Sequence, residues 1–328
     1  MSDVLVRGDG LATAACARLL SVAGWHISIE VAPRPKLPAV LLNEASQTLL
    51  LDVFEVEGLL SGLYPIQKRI VKWGEGSEVL TLPHRALAVS EDLLLRRLPP
   101  VGGTGENVSY TLHGARPLPA PTSEYHCGGR DAEAVAIHFR GSAEANACWV
   151  ESVADGWLFA VCTGDGQGWL LAMGESANTL LAQSTLIAGC IESVAVERKR
   201  FAAHPRIAKP LTGPGWLACG GAAMAFDPIC GEGTGHALRE AILAAAVMQA
   251  HARGEDWDLL AQLYVNRFEG GFRRHLVQCH QLYSSGGSGP WWREQVASVE
   301  AGLAWLGPER RGETTFRLEG FELVRLAS

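Results

Sequence analysis

Gly220-Gly221-Ala222-Ala223-Met224-Ala225-Phe226-Asp227-Pro228-Ile229-Cys230-Gly231-Glu232-Gly233-Thr234-Gly235 runs directly into His236-Ala237-Leu238-Arg239-Glu240-Ala241. Glycines alternate at 231, 233 and 235, a proline precedes them, and an alanine-rich helix follows. Bare backbone N–H groups and the positive end of that helix converge on one spot, which suits a flat, electron-rich ligand. A Cβ at 231 or 233 would push such a ligand away. A glycine-rich helix start packed on a sheet is the alternative, and the small face Ala237, Ala241, Ala244 and Ala245 predicts close packing either way.

The amino terminus supplies a second glycine turn. Asp3 to Val6 reads as a short strand, Gly8-Asp9-Gly10-Leu11-Ala12-Thr13 as the turn, Ala14 to Val22 as a helix, and His26 to Glu30 as the next strand. Glu30 falls 20 residues after Gly10, where a dinucleotide fold places its ribose-binding acid. Gly8 allows the tight bend, Gly10 admits a pyrophosphate, and the third position, normally Gly or Ala, is Thr13. Arg34 and Lys36 follow on the proline-stiffened stretch 32–38, either to meet phosphate or adenine or as solvated loop charges.

Composition bounds the function classes. A chain of 328 residues with 48% apolar and 19% charged content describes a folded globule. A net charge of −7, with no basic tract beyond Glu197-Arg198-Lys199-Arg200, offers no footprint for nucleic acid. The eight cysteines, at 16, 127, 148, 162, 190, 219, 230 and 279, show neither a C-x-x-C pair nor metal-ligand spacing, which fits a reducing cytoplasm without a metal site. No stretch reaches the roughly 18 apolar residues of a spanning helix.

Between the two glycine motifs, helices are expected over Asn43 to Leu51 and Phe54 to Leu60, a strand over Ile66 to Trp73, and a helix over Glu91 to Leu98 capped by Ser90. The Pro- and Gly-rich stretch 99–130, which includes Gly102, Gly103 and Gly105, holds one expected strand, Val108 to Leu112. Strands at 134–139, 147–152, 156–162 and 168–173, a helix near 176–188 and a strand near 193–198 predict a small antiparallel sheet. Trp216 to Cys219 reads as a strand returning to the first domain, and a helical tail starts at Trp257.

These motifs resemble, in order, those of the FAD-dependent aromatic hydroxylase (group A flavin monooxygenase) superfamily. The nearest branch contains tryptophan halogenases and the flavoprotein maturases of quinone-cofactor amine oxidases. The glycine turn with Glu30, Trp73-Gly74, Gly156-Trp157, the Asp227-Pro228 glycine motif, Tyr283 and Trp291-Trp292-Arg293 carry the resemblance. It implies an α/β fold with a Rossmann-like FAD-binding domain (1–98 and 199–255), a substrate-side antiparallel sheet (99–198) and a helical C-terminal region (256–328). FAD would be held by Gly8, Gly10, Leu11, Ala12, Thr13, Glu30, Arg34, Asp227, Pro228, Gly231, Gly233, Thr234 and Gly235. The implied activity is monooxygenation of an aromatic or electron-rich substrate, small molecule or peptide, through a flavin C4a-hydroperoxide, with NAD(P)H or a partner reductase as electron donor. Halogenation is an alternative, with Lys68 and Lys72 near the position its lysine would need.

Three positions depart from the pattern. Gly221 stands where relatives carry an aspartate that bonds a ribityl hydroxyl. Glu91 stands where they commonly carry an arginine near the phosphates, and a carboxylate there repels a pyrophosphate. The short 99–130 stretch leaves Cys127-Gly128-Gly129-Arg130 as a remnant of a second flavin motif. These departures favour another class of function: a flavin fold with weak or lost flavin binding that captures a protein partner, for which the Trp291-Trp292 pair is either an exposed contact surface or a pair docked on its own domain. His236 is a candidate acid or base or a helix-surface histidine; Cys230 is a redox-active thiol or a small apolar filler. No catalytic residue is assigned.

Overall fold

The computed structural model describes residues 3–102, 108–308 and 315–326. A five-stranded sheet has the order β14 (Thr212–Gly213), β15 (Trp216–Ala218), β6 (Tyr110–His113), β1 (Asp3–Arg7), β2 (His26–Glu30), and is parallel except at β14. Its strands come from both glycine-motif regions and from the middle stretch. Val4 and Val6 alternate inward, and Gly8 N–H donates to the Glu30 carbonyl at 2.9 Å to close the turn. Helix α1 (Leu11–Val22) then packs on α7 (Gly233–Ala252), whose Ala241, Ala244 and Ala245 are fully buried. The two glycine motifs meet where Ala12 abuts Gly220, at which an added Cβ would lie 2.8 Å from the Ala12 Cβ.

The second sheet has eight strands and is larger than expected. Its order is β12 (Ile191–Ala202), β8 (Asp131–Phe139), β11 (Gln167–Gly174), β10 (Gly156–Gly164), β9 (Ala147–Val153), β4 (Tyr64–Lys72), β5 (Leu80–Val89), β3 (Val40–Asn43). All pairs are antiparallel except β4 with β9. Residues 40–89, expected within the nucleotide half, thus give three strands to the eight-stranded sheet.

Other expectations are corrected by local chemistry. Helix α2 (Glu44–Phe54) stops at Glu55, left-handed at φ 51°, and Gly58 and Gly62 turn the chain where a second helix was expected. The helix near 176–188 is split into α4 (Ala177–Gln183) and α5 (Ile187–Cys190), because the buried Glu151 carboxylate accepts the N–H groups of Thr185, Leu186 and Ile187 at 2.8–3.0 Å. Burial would raise the Glu151 carboxyl, but the Ile187 N–H, the Ser184 hydroxyl and the two further N–H groups hold it below the usual range. The 99–130 stretch contains β7 (Ser123–His126), in a three-stranded sheet with β13 (Arg206–Lys209) and β16 (Met224–Ala225); its Gly103 and Gly105 lie outside the described residues. Helix α3 (Glu91–Arg96) starts at Ser90, whose hydroxyl accepts Leu93 N–H.

A short α6 (Gly220–Ala223) precedes the glycine motif. The tail comprises α8 (Trp257–Gly286), α9 (Pro290–Leu306) and a hairpin, β17 (Phe316–Glu319) with β18 (Glu322–Arg325), so it is not wholly helical. Trp292 is 1% exposed and donates its indole N–H to the Val153 carbonyl at 2.9 Å; of the two readings of the tryptophan pair, an exposed contact surface or docking on its own domain, the structure has the second. No described helix is long and apolar enough to cross a membrane.

Candidate functional site

A buried polar network holds the second glycine motif. Asp227 leads into a 3-10 turn, Pro228–Cys230, and its Oδ1 accepts Ile229 N–H at 3.0 Å. Oδ2 accepts from Arg130 (Nε at 3.1 Å, and Nη2) and from the Tyr283 hydroxyl at 2.8 Å. Asp227 N–H donates to His275 Nε2 at 2.8 Å, and Arg130 Nη1 reaches Gln295 on α9 at 2.9 Å. Burial works against the Arg130 charge, but Asp227 sustains it. Arg130, expected as part of a cofactor-motif remnant, therefore buttresses Asp227 from behind.

Past this turn the backbone opens onto a cavity of about 490 Å³. Gly231 is left-handed at φ 66°, and a Cβ at either 231 or 233 would meet no heavy atom within 4 Å. Pro228, Gly231, Gly233 and Thr234 form one wall; Val71, Trp157, Phe159 and Trp169 from the eight-stranded sheet, with Trp73 just past the end of β4, form the other. Helix α7 begins here without a side-chain cap, so its positive end borders the cavity. Gly235, within the first turn, is buried and outside the lining. The cavity also carries Arg69, bonded to His84 at 3.1 Å, and its Nε is buried without a partner, as is the indole N–H of Trp157.

The amino-terminal residues build a different environment. Leu11, Ala12 and Thr13 are buried. Thr13 Oγ1 donates to the Gly10 carbonyl at 2.6 Å and accepts Gly10 N–H at 3.0 Å, so the threonine braces the turn from within. Glu30 is paired with Arg7 at 2.9 Å. Arg34 lies over Gly10, with Nη2 3.1 Å from where a Cβ would stand, and is bound through both terminal nitrogens to Glu91. Glu91 is anchored by Leu37 N–H at 2.9 Å, and Lys36 pairs with Asp9 at 2.6 Å. Two cations and two carboxylates thus neutralise one another over the glycine expected to admit a pyrophosphate. None of Gly8, Gly10, Leu11, Ala12, Thr13, Glu30 or Arg34 lines the cavity.

Several residues were not singled out by their sequence. Gly114 follows β6 and donates to Arg7 O at 2.8 Å, against Thr13. Arg116 and Arg206 reach the carbonyls of Ala222 and Gly221 at 3.4 Å. No local spacing signals these residues, because they come from separate elements. His236, by contrast, stacks on Phe226 at 4.0 Å and lines a separate cleft of about 890 Å³. Lys68 and Lys72, on the outer face of β4, bond Glu144 and Thr185 and do not line the 490 Å³ cavity.

Burial, with the nearby Arg7 and Arg239 charges, pushes His113 and His236 down to about 4. The unfolded chain binds those protons first, so the stabilisation is complete above pH 6.5 and is lost as pH falls toward 4. The melting temperature should drop across that window. His236→Phe, which keeps the ring on Phe226, should flatten the slope in a pH series of thermal melts; an unchanged slope would refute the assignment.

No protein-family model matches this sequence, and neither does any curated protein. Solved structures do match. The peptidyl tryptophan dihydroxylase QhpG, essential for tryptophylquinone cofactor biogenesis, superimposes with a TM-score of 0.75 at 20% identity over 98% of this chain and 86% of its own. The myxobacterial chondrochloren halogenase CndH gives 0.74 at 13% identity over 93% and 89%. BrvH, a flavin-dependent halogenase from Brevundimonas sp. BAL3, gives 0.71 at 10% identity over 93% and 84%. The chain has the fold that these flavin-dependent halogenases and the dihydroxylase share.

Proposed function

We propose that the protein is a flavin-dependent oxidoreductase of the monooxygenase type, acting on an aromatic or electron-rich substrate. The observation that carries this reading is the open cavity between the glycine wall and the aromatic sheet wall. Two glycines there have no neighbour to accommodate, and an uncapped helix end abuts them, which fits a flavin ring. Pro228, Gly231, Gly233 and Thr234 would hold the ring, with Gly235 in the same helix turn and Asp227 fixing the turn. A bound flavin would supply oxygen activation and electron transfer. The chain would supply orientation and a pocket poor in water, with Arg69 on its wall as a donor for acceptor atoms of the substrate.

FAD is the form we infer, with its adenosine diphosphate on Gly8, Gly10, Leu11, Ala12, Thr13, Glu30 and Arg34. The diphosphate half fits only once Arg34 leaves Glu91, so binding should be weak. The substrate is a small aromatic molecule or a peptide, and the electron donor NAD(P)H or a partner reductase. The visible spectrum and FAD content of purified protein, before and after adding FAD, test this. The expected result is reconstitution of one flavin per chain with a raised melting temperature; saturating FAD that neither binds nor shifts the melt would end the reading.

The closed Arg34–Glu91 pair favours a second reading, a flavin fold whose dinucleotide site has been given up for a role in maturing or assembling another protein. A colourless protein indifferent to FAD supports it. Halogenation is disfavoured because neither Lys68 nor Lys72 faces the cavity.

A further inference from the structure

Cys230 ends the 3-10 turn and lines the cavity. Behind it on α8, Cys279 is fully buried, with its Sγ 3.9 Å from Cys230 Sγ and 3.3 Å from His275 Nε2. The three donor atoms lie within 4.8 Å of one another. Such a cluster suits either a soft metal or a redox-active dithiol. The His275 Nε2 lone pair is already engaged by Asp227 N–H at 2.8 Å, and a metal there would strip a buried amide of its acceptor. The geometry points to Cys230 and Cys279 as a redox-active dithiol that low-molecular-weight disulfides reach through the cavity, Cys230 attacking and Cys279 resolving.

The electrons balance as follows. Cys230 thiolate attacks one sulfur of R–S–S–R, that S–S bond breaks, and one thiol leaves with a proton from solvent. Cys279 then attacks the Cys230 sulfur of the mixed disulfide, and its proton goes to the second departing thiolate. Two electrons pass from the dithiol to the small disulfide, which is released as two thiols. The Cys279 thiol hydrogen bond, with His275 beside it, holds Cys230 down at about 6, while burial pushes Cys279 up, an asymmetry that suits these two roles. Cys16 and Cys219 form another neighbouring pair, but both are fully buried away from the cavity, which makes them an internal control. The inference does not depend on flavin.

The full-length protein, without added flavin, is incubated at pH 7 with oxidised glutathione, quenched in acid, alkylated and mapped by peptide mass. We expect a Cys230–Cys279 disulfide, with Cys16 and Cys219 reduced. Cys279→Ser should trap glutathione on Cys230, and Cys230→Ser should leave residue 279 unmodified. Iodoacetamide should modify Cys230 at least about tenfold faster than half-buried Cys190. An unreactive Cys230, a mixed disulfide that persists in the unsubstituted protein, or one tightly held zinc per chain that blocks the exchange would each overturn the proposal.

Discussion

Replacing Asp227 by alanine should lower the unfolding free energy by about 3–5 kcal/mol, the cost of leaving one member of a buried ion pair alone. The Asp227 side chain is fully buried and that of Arg130 is 5% exposed, so water cannot replace the lost carboxylate. Tyr283 would lose its acceptor and Ile229 N–H its cap, releasing the turn that sets Gly231 against the cavity. Asp227→Asn keeps an oxygen for Ile229 and should fall between. Combining Asp227→Leu with Arg130→Met should destabilise less than the two single changes added together, because no charge is left buried. Urea unfolding measures all five variants; a loss below about 1 kcal/mol for the alanine variant would contradict the buried-pair account.

Glu91→Gln should tighten FAD binding by at least about tenfold, or about 1.4 kcal/mol. The amide oxygen can still accept Leu37 N–H, but the charge that pins Arg34 over Gly10 is gone. The guanidinium can then turn to a phosphate, and the carboxylate that would repel it has been removed. Titration by quenching of flavin fluorescence separates the two functional readings. Equal affinity in the two proteins would show that the ion pair does not gate the site. No binding by either would leave the second reading standing.

The sequence by itself determined the elements whose signals are local. The strand, turn, helix and acid from Asp3 to Glu30, the Ser90 cap, the return strand at Trp216 and the long helix after Gly233 depend on spacing, capping groups and small residues that neighbours a few positions away can read. Only the tertiary structure decided where distant charges meet. Glu91 lies 57 residues from Arg34, Arg130 lies 97 from Asp227, and Cys279 lies 49 from Cys230. The same applies to β4, whose alternating residues specify a strand but not the sheet it joins. Periodicity and capping act within a turn or two of chain. Pairing between buried charges and thiols is set by which elements the folded core brings within a few ångströms, and no window of sequence carries that information.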